Sequence, residues 1–335
     1  MKITKQIARQ IVFPSIIGLG IERIMSMFSE KKLLNIYYHG VVNSDSTFFN
    51  PRHIDVVQFE EHIKYFVKNF DVVSLNEAFE IKKNKSSLKR PTITISFDDG
   101  YKNNLDIALP ILEKYNVKAT FFISGVCVEN DKNTLMWADI VDFAKYFSVD
   151  NEFSIDGVRF NNFIEVSTNK SIYDYIKALP KLNRDVFLSK LIDKFDIDSR
   201  KHELNSEIWE MMDSDEIIKA SKSSVIDIQS HGYLHYNLGM IDYEDAIMDI
   251  KKSKLALDGI IKEPVSMICF PDGSYSKEVI DKILEIGFDK NVACDYLFDD
   301  DVSNPIIINR YGISNTTTFA SNMFFINKSF INKGI

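Results

Sequence analysis

The chain has 335 residues, 45% of them apolar and 26% charged, so it is an ordinary globular chain long enough for one large domain or two small ones. The formal net charge of −8 argues weakly against binding to nucleic acid, and it does not favour binding to anionic lipid. Three widely spaced cysteines, Cys127, Cys269 and Cys294, form no disulfide or metal-binding pattern. We therefore expect reduced, buried thiols and a reducing compartment.

The N-terminal segment, residues 1–32, combines positive charge with an apolar run. Lys2, Lys5 and Arg9 precede apolar residues 11–21, an order also found in secretory signal peptides, but no small-residue cleavage site follows. The run is too short to span a bilayer. We expect an amphipathic helical segment that packs on the domain or lies on a membrane surface, with packing slightly favoured.

Apolar strands alternate with amphipathic helices in the first part of the chain and again in the last. The pattern predicts strands over 33–38, 72–75, 92–97, 118–124, 225–229, 265–270 and 306–308, and helices over 56–70, 76–83, 104–115, 206–221, 242–260 and 277–286. Such alternation indicates βαβ units and a parallel sheet.

Between these two parts the alternation stops, and residues 148–205 have the pattern of an insertion. Residues 147–160 predict a β-hairpin around Asp156-Gly157, a dipeptide that favours hairpin turns. Two amphipathic helices are predicted over 171–180 and 184–196. An insertion near a βα-loop could be a lid or a substrate wall, and decoration without function is an equal alternative.

Polar side chains follow several predicted strands directly. Asp98 and Asp99 end the central strand, His231 follows the strand over 225–229, and Asp272 and Arg310 follow the last two strands. In a parallel barrel the C-terminal ends of the strands converge, so these groups are expected in one site. For the two adjacent carboxylates, a solvated turn is the alternative by pattern alone.

Two histidines, His231 and His235, are four residues apart and would share one face if their segment is helical. With a carboxylate they form a donor set of two imidazoles and one oxygen, which suits zinc or another divalent first-row metal. The sequence thus predicts a metal site beside the end of the central strand.

Three short motifs carry a resemblance to a known family. They are Phe97-Asp98-Asp99-Gly100, His231-x-x-x-His235 and Phe270-Pro271-Asp272-Gly273, with shorter matching stretches at 36–39, 119–123 and 309–313. In order and approximate spacing they resemble the polysaccharide deacetylase family, also called NodB-homology or carbohydrate esterase family 4. The resemblance covers about residues 33–315.

This resemblance implies an α/β fold, a distorted parallel (β/α) barrel of about seven strands with the β-hairpin and helical insertion added. Residues 33–335 would form the barrel, with the insertion at about 148–205. The implied activity is metal-dependent hydrolysis that removes N-acetyl groups from a sugar in a polysaccharide or a glycan precursor.

The resemblance also implies roles for the motif residues. Asp98 would be the general base, and Asp99, His231 and His235 would bind the metal, with zinc as first choice and other first-row metals as alternatives. Arg310 resembles a family position that pairs with the base carboxylate and holds it ionised; a surface arginine is the alternative.

The turn formed by Pro271, Asp272 and Gly273 corresponds to the family's oxyanion-binding turn, where a backbone N–H could stabilise the tetrahedral intermediate. Tyr101 and Tyr275 lie beside the motifs and are expected to contact substrate, because aromatic faces stack on sugar rings. Packing in the core is the alternative for both. Trp137, before the insertion, is also expected to face the site.

Three departures from the family pattern bear on the mechanism. An aromatic residue is usual where Asp272 stands, and a carboxylate there could alter substrate preference or repel the oxyanion. Gly232 replaces the usual Ser or Thr. No histidine occurs after His235, so the family's usual general acid is missing. His39 is the leading candidate for that role, and a hydrogen-bonded histidine at the barrel mouth is the alternative.

A carbohydrate is the expected partner, as an N-acetylated glycan or a lipid- or nucleotide-linked precursor, and no nucleic acid is expected. Peripheral membrane contact through residues 1–32 stays open. Two other functions also stay open: a relative that binds glycan without turnover, and an esterase or other C–N hydrolase with the same metal site. The expected location is the cytoplasm, with membrane association or export as alternatives.

Overall fold

The computed structural model describes residues 32–43, 48–129, 134–313 and 317–330. Apart from Lys32, the predicted N-terminal segment therefore lies outside the described residues. Among the residues that are described, no helix combines the length and apolar character that a membrane span requires.

The strands and helices are labelled in chain order. The strands are β1 Leu33–Tyr38, β2 Gly40–Val42, β3 His53–Asp55, β4 Asp71–Val72, β5 Thr92–Phe97, β6 Ala119–Ile123, β7 Glu152–Ile155, β8 Val158–Asn161, β9 Ile164–Glu165, β10 Ile226–Ser230, β11 Met267–Cys269, β12 Lys290–Val292, β13 Ile307–Ile308 and β14 Tyr311–Gly312. The α-helices are α1 Val56–Asn69, α2 Leu75–Lys83, α3 Leu109–Lys114, α4 Trp137–Phe147, α5 Ile172–Lys177, α6 Lys181–Phe195, α7 Ile197–Arg200, α8 Ser214–Ala220, α9 Tyr243–Asp258, α10 Lys277–Ile286 and α11 Phe319–Ser329.

Within the described residues, the main sheet has nine strands, all paired in parallel, in the order β13-β12-β11-β10-β6-β5-β1-β14, with β4 added beside β5. Its two end strands, β13 and β14, are separated in the chain only by Asn309 and Arg310. The sheet must therefore curl until its ends are neighbours, which gives the distorted parallel barrel that was predicted. The expected number of strands, about seven, was low because two short strands were not predicted from the sequence: β12, of three residues, and β14, of two.

Strand β5 shows why the site forms where it does. All six of its residues are buried, as expected for a parallel strand covered on both faces. The polar members of its alternating pattern bond to neighbours in the sheet: Thr94 Oγ1 donates to Asn35 Oδ1 at 2.9 Å, and Ser96 Oγ donates to the Ile36 carbonyl at 3.2 Å. The alternation thus marks an apolar face and a hydrogen-bonded face, and the strand delivers Asp98 at its C-terminal end.

The insertion has its own hydrophobic core, packed against α4. The predicted hairpin is present as β7 and β8, and the two predicted helices are present as α5 and α6. Phe160 on β8 stacks on Phe153 with ring centroids 5.1 Å apart, and Leu191 on α6 is fully buried in the same cluster. The barrel core is a separate cluster.

One predicted helix, over 206–221, is wrong in its first half. That stretch begins with a short 3-10 turn, Ser206–Ile208, and then runs past the motif loop, where Met211 bridges to Tyr101 and the Met212 N–H donates to the Gly100 carbonyl at 2.9 Å. Backbone pairing with residues 100–101 replaces helical bonding there, and only α8 is an α-helix within this stretch.

Candidate active site

Asp98 and Asp99 leave β5 in a sharply bent backbone. The Asp98 N–H donates to the Tyr38 carbonyl at 3.0 Å, and the Asp99 carbonyl accepts from Ser124 at 3.2 Å. Asp99 has φ of 77° and Gly100 has φ of 97°. A left-handed aspartate is strained, and such strain persists where the surrounding structure fixes it, often at functional sites. The bend presents two adjacent carboxylates in different directions, and both are buried.

His231 and His235 lie on a loop, so the condition that their segment is helical is not met. Gly232 and His235 both have positive φ, 71° and 53°. These backbone turns, and not the spacing of a helix, bring the two imidazoles together. The Asp249 carboxylate of α9 fixes the loop by accepting the N–H groups of Tyr233 at 2.7 Å and Leu234 at 3.0 Å.

Gly232 is explained by this packing. A Cβ added there would lie 3.0 Å from Asp249 Oδ2 and 3.3 Å from Pro271 Cγ, on a backbone that disfavours side chains. The missing hydroxyl that distinguishes this position from the family pattern therefore has a structural reason.

Asp99 and the two histidines form the donor set that was predicted. Asp99 Oδ1 lies 3.4 Å from His231 Nε2 and 3.2 Å from His235 Nε2, and the three donor atoms are within 4.8 Å of one another. The His231 Nδ1–H donates to the Cys269 carbonyl at 2.9 Å, which leaves the Nε2 lone pair directed at the carboxylate. Among the described residues, Asp99 Oδ1 is buried without a hydrogen-bond partner. These features fit a divalent cation.

Asp98 is held differently, by Arg310. Its two carboxylate oxygens accept from Arg310 Nη1 at 2.7 Å and Nη2 at 2.8 Å, and both residues are buried. Ser96 Oγ accepts a further bond from Nη1 at 3.0 Å. Burial opposes ionisation of Asp98, but the guanidinium outweighs it and holds the pKa of Asp98 below its usual value.

A second group of metal-type ligands includes Asp98, His231 and Cys269. It is a poor cation site because both Asp98 oxygens are engaged by a guanidinium, whose charge would repel a metal. Arg310 Nη2 also lies 2.8 Å from Cys269 Sγ. We therefore assign the candidate metal centre to Asp99, His231 and His235.

His39 follows β1 and lines the same pocket. Its Nδ1 is buried and has no hydrogen-bond partner among the described residues. Burial lowers the pKa of His39, and the carboxylates of Asp99 and Asp98 oppose that effect only in part. The imidazole is therefore mainly neutral at neutral pH, with a ring nitrogen free for a reacting group.

The Pro271–Gly273 turn follows β11 and reaches the pocket through Asp272. Asp272 has φ of 53°. The residue as a whole is exposed, whereas its side chain is only 19% exposed, so most of its exposed surface belongs to the backbone. The Gly273 N–H already donates to the Phe270 carbonyl at 2.9 Å. The Asp272 carboxylate is paired with Lys177 of α5, with Nζ and Oδ1 2.6 Å apart.

Tyr101 and Tyr275 do not reach the pocket, so the expectation that they contact substrate is wrong. Both are buried: Tyr101 Oη donates to Asp139 Oδ2 at 2.9 Å, and Tyr275 Oη donates to Asp301 Oδ2 at 2.6 Å. Gly100 reverses the chain before Tyr101 and turns that ring into the core. Trp137 does line the pocket, as expected, and its Nε1 lies 3.2 Å from His235 Nδ1.

Together these groups surround a cavity of about 390 Å³, within the range usual for small-molecule sites. Its lining residues are Tyr37, His39, Arg52, Asp98, Asp99, Met136, Trp137, Ala138, Lys177, His231, His235, Phe270, Asp272 and Cys294. Sequence reasoning missed Arg52 and Lys177, which carry charge into the pocket from outside the motifs. It also missed Asp249, a carboxylate on the buried side of α9. The one sequence signal for it is that a charged residue interrupts the apolar face of that helix.

The chain is similar in sequence and in fold to known proteins. The family model described as "Polysaccharide deacetylase" matches residues 85–145 and 189–290. The protein YxkH of Bacillus subtilis (strain 168), provisionally named a polysaccharide deacetylase, is 25% identical over 150 residues, which are 43% of this chain and 52% of that protein. The match therefore spans about half of that relative.

Two solved structures have the same fold. A de-N-acetylase from Aggregatibacter actinomycetemcomitans has a TM-score of 0.57 at 15% identity, covering 88% of this chain and 99% of that chain. The Streptococcus pyogenes deacetylase PplD, solved in complex with acetate, has a TM-score of 0.54 at 14% identity, covering 90% of this chain and 99% of that chain.

Proposed function

We propose that this chain, which belongs to the polysaccharide deacetylase family, is a metal-dependent hydrolase that removes N-acetyl groups from a sugar in a polysaccharide or glycan precursor. The observation that carries the proposal is the buried set of Asp99, His231 and His235 beside an Asp98 that Arg310 keeps ionised.

The three ligand residues would hold a divalent metal, zinc by first choice. When bound, such a metal makes water more acidic and polarises a carbonyl. Asp98 stands next to this set in the chain and outside it, because its oxygens are directed to Arg310. As an ionised carboxylate it can accept the proton of the attacking water, which is the task of a general base.

Attack on an acetamide carbonyl creates an oxyanion, which needs hydrogen-bond donors already in place. We assign the Asp272 N–H as the donor on the turn after β11, because Asp272 lines the pocket and has an exposed backbone, whereas the Gly273 N–H is engaged by the Phe270 carbonyl. The change from an aromatic side chain to aspartate leaves this backbone donor intact.

The leaving amine also needs a proton. No histidine occurs after His235, and His39 is a pocket-lining histidine with an unpartnered ring nitrogen. Burial keeps His39 neutral before the reaction. We therefore assign it the transfer to the leaving amine of the proton that Asp98 takes from the attacking water.

The proposed activity is tested by measuring acetate release from N-acetylated chitopentaose and from 4-nitrophenyl acetate, with chelated enzyme and with enzyme refilled with zinc. Metal-dependent acetate release from the oligosaccharide supports the N-deacetylase. Release from the ester alone would indicate an esterase with the same site. Binding of the oligosaccharide without release of acetate from either compound would indicate a glycan-binding protein and contradict the proposal.

A further inference from the structure

Lys177 of the insertion contacts the Pro271–Gly273 turn, which carries the proposed oxyanion donor. Lys177 is the last residue of α5, a helix anchored in the insertion core by the fully buried Ile172 and Ile176. Its Nζ lies 2.6 Å from Asp272 Oδ1 and 5.7 Å from the centre of the Trp137 ring. The lysine is 38% exposed and the aspartate side chain 19%, so the pair lies at the wall of the pocket.

Without a partner, the Asp272 carboxylate would be a fixed negative charge beside the place where the oxyanion develops. Two like charges at short distance raise each other's energy, and more so where water is partly excluded. The carboxylate stands where the family usually has an aromatic residue, and it could repel the oxyanion. A cation in contact with it removes most of the repulsion, and a neighbouring lysine supplies such a cation.

The two partners come from different parts of the chain. The family model matches 85–145 and 189–290, so Asp272 lies in the matched part and Lys177 lies in the gap between the matches. Arg184 of the insertion adds a second cation nearby: its Nη2 donates to the His235 carbonyl at 3.1 Å, and its guanidinium lies 5.3 Å from the Trp137 ring.

We propose that Lys177 is a positioning residue for deacetylation, which neutralises and orients Asp272 so that the turn can stabilise the oxyanion. The insertion then contributes to the active site, because its lysine compensates the negative charge of Asp272 in the barrel motif. This inference rests on the proposed function and goes beyond it by linking the insertion to the chemical step.

The test is a double-mutant cycle on acetate release from N-acetylated chitopentaose. Lys177→Met should lower kcat about tenfold, less than the loss of a whole oxyanion donor, with KM changed less than about twofold. Asp272→Asn should restore most of that loss when combined with Lys177→Met, because no charge is then left to compensate. Lys177→Arg should keep most of the activity.

The matched control is Lys181→Met. Lys181 also joins the insertion to the barrel by an ion pair, with Asp245 of α9 at 2.7 Å and a similar exposure, but it does not contact Asp272. If Lys177 merely docks the insertion, both lysine variants should lose activity alike, which overturns the inference.

Two further outcomes would also overturn it. A raised KM in Lys177→Met that Asp272→Asn does not restore means that the lysine binds the sugar directly. An unchanged kcat in Lys177→Met means that the pair has no part in turnover. A wild-type protein that releases no acetate in any metal-loaded form refutes the proposed function itself, and the inference with it.

Discussion

The barrel and the insertion line the same pocket by different means. The barrel contributes side chains at strand ends, such as the buried Asp98, Asp99 and His231, and its backbone bends sharply at Asp99 and Asp272. The insertion contributes a long cationic side chain, that of Lys177, presented by a helix with its own hydrophobic core. We infer that the barrel carries the reacting groups and that the insertion adjusts the charge around them. Each variant below tests that division.

The largest effect is expected in the barrel, for Asp98→Asn. The amide cannot take a proton from water, so turnover should fall by about a factor of 100 or more. Metal content should stay at the wild-type level, because Asp98 is not in the ligand set. Acetate release and metal analysis on the same sample measure both quantities. Near-normal turnover would remove Asp98 from the mechanism.

Arg310→Gln should act on the same base through its pKa. Burial alone raises the pKa of a carboxyl, so without the guanidinium the pKa of Asp98 should rise and the acid limb of kcat/KM should move up by about one pH unit or more. An unmoved acid limb would show that Arg310 does not control the ionisation of Asp98.

The same variant should also lose stability. In the wild type the lowered pKa of Asp98 stabilises the fold above about pH 3.9, the value for a free carboxyl, and this contribution is lost as pH falls through the lower, folded value. Leaving one member of a buried ion pair alone costs about 3–5 kcal/mol. Urea unfolding at neutral pH measures the loss, and an unchanged midpoint would contradict it.

A pair of leucines tests whether the two cores are independent. Leu191 in the insertion and Leu112 in the barrel are both fully buried, and truncation of either to Ala should cost about 2–5 kcal/mol. Leu191→Ala should lower the stability of the insertion while the metal stays bound, whereas Leu112→Ala should loosen the metal centre. Thermal unfolding followed together with metal release separates the two. Parallel metal loss in both variants would mean that barrel and insertion unfold as one unit.

The smallest effect on chemistry is expected from the N-terminal segment. A version starting at Lys32 should keep its kcat, because every candidate site residue lies from His39 onward. Fractionation of both forms tests location. Loss of membrane association on truncation would identify an anchor, and a soluble but unstable short form would indicate packing on the barrel. Loss of turnover in a stable short form would contradict the prediction.

The sequence predicted the barrel and its strand-end groups because their signals are local. A buried alternating strand followed by two aspartates indicates both a sheet and a site, and C-terminal strand ends meet in a parallel barrel. Asp98, Asp99, His231 and Arg310 are accordingly found together.

Other features depended on information that no local pattern carries. The spacing of the two histidines did not reveal how they meet, because Gly232 and His235 have positive φ and the segment is a loop. Tyr101 adjoins a motif in the chain but points into the core, toward Asp139. Lys177 has no motif of its own, and its role depends on a tertiary contact with Asp272.

Metal dependence is the central claim, and one side-by-side measurement tests it most directly. Wild type and His231→Ala are stripped with chelator, refilled with zinc, and assayed for bound metal and for acetate release from N-acetylated chitopentaose. His202→Ala is the matched control, because His202 lies exposed on the insertion against Trp209. We expect wild type and the control to bind zinc and release acetate, and His231→Ala to lose most of both while its fold remains. Full metal occupancy in His231→Ala, or undiminished acetate release from the stripped wild type, would contradict the account.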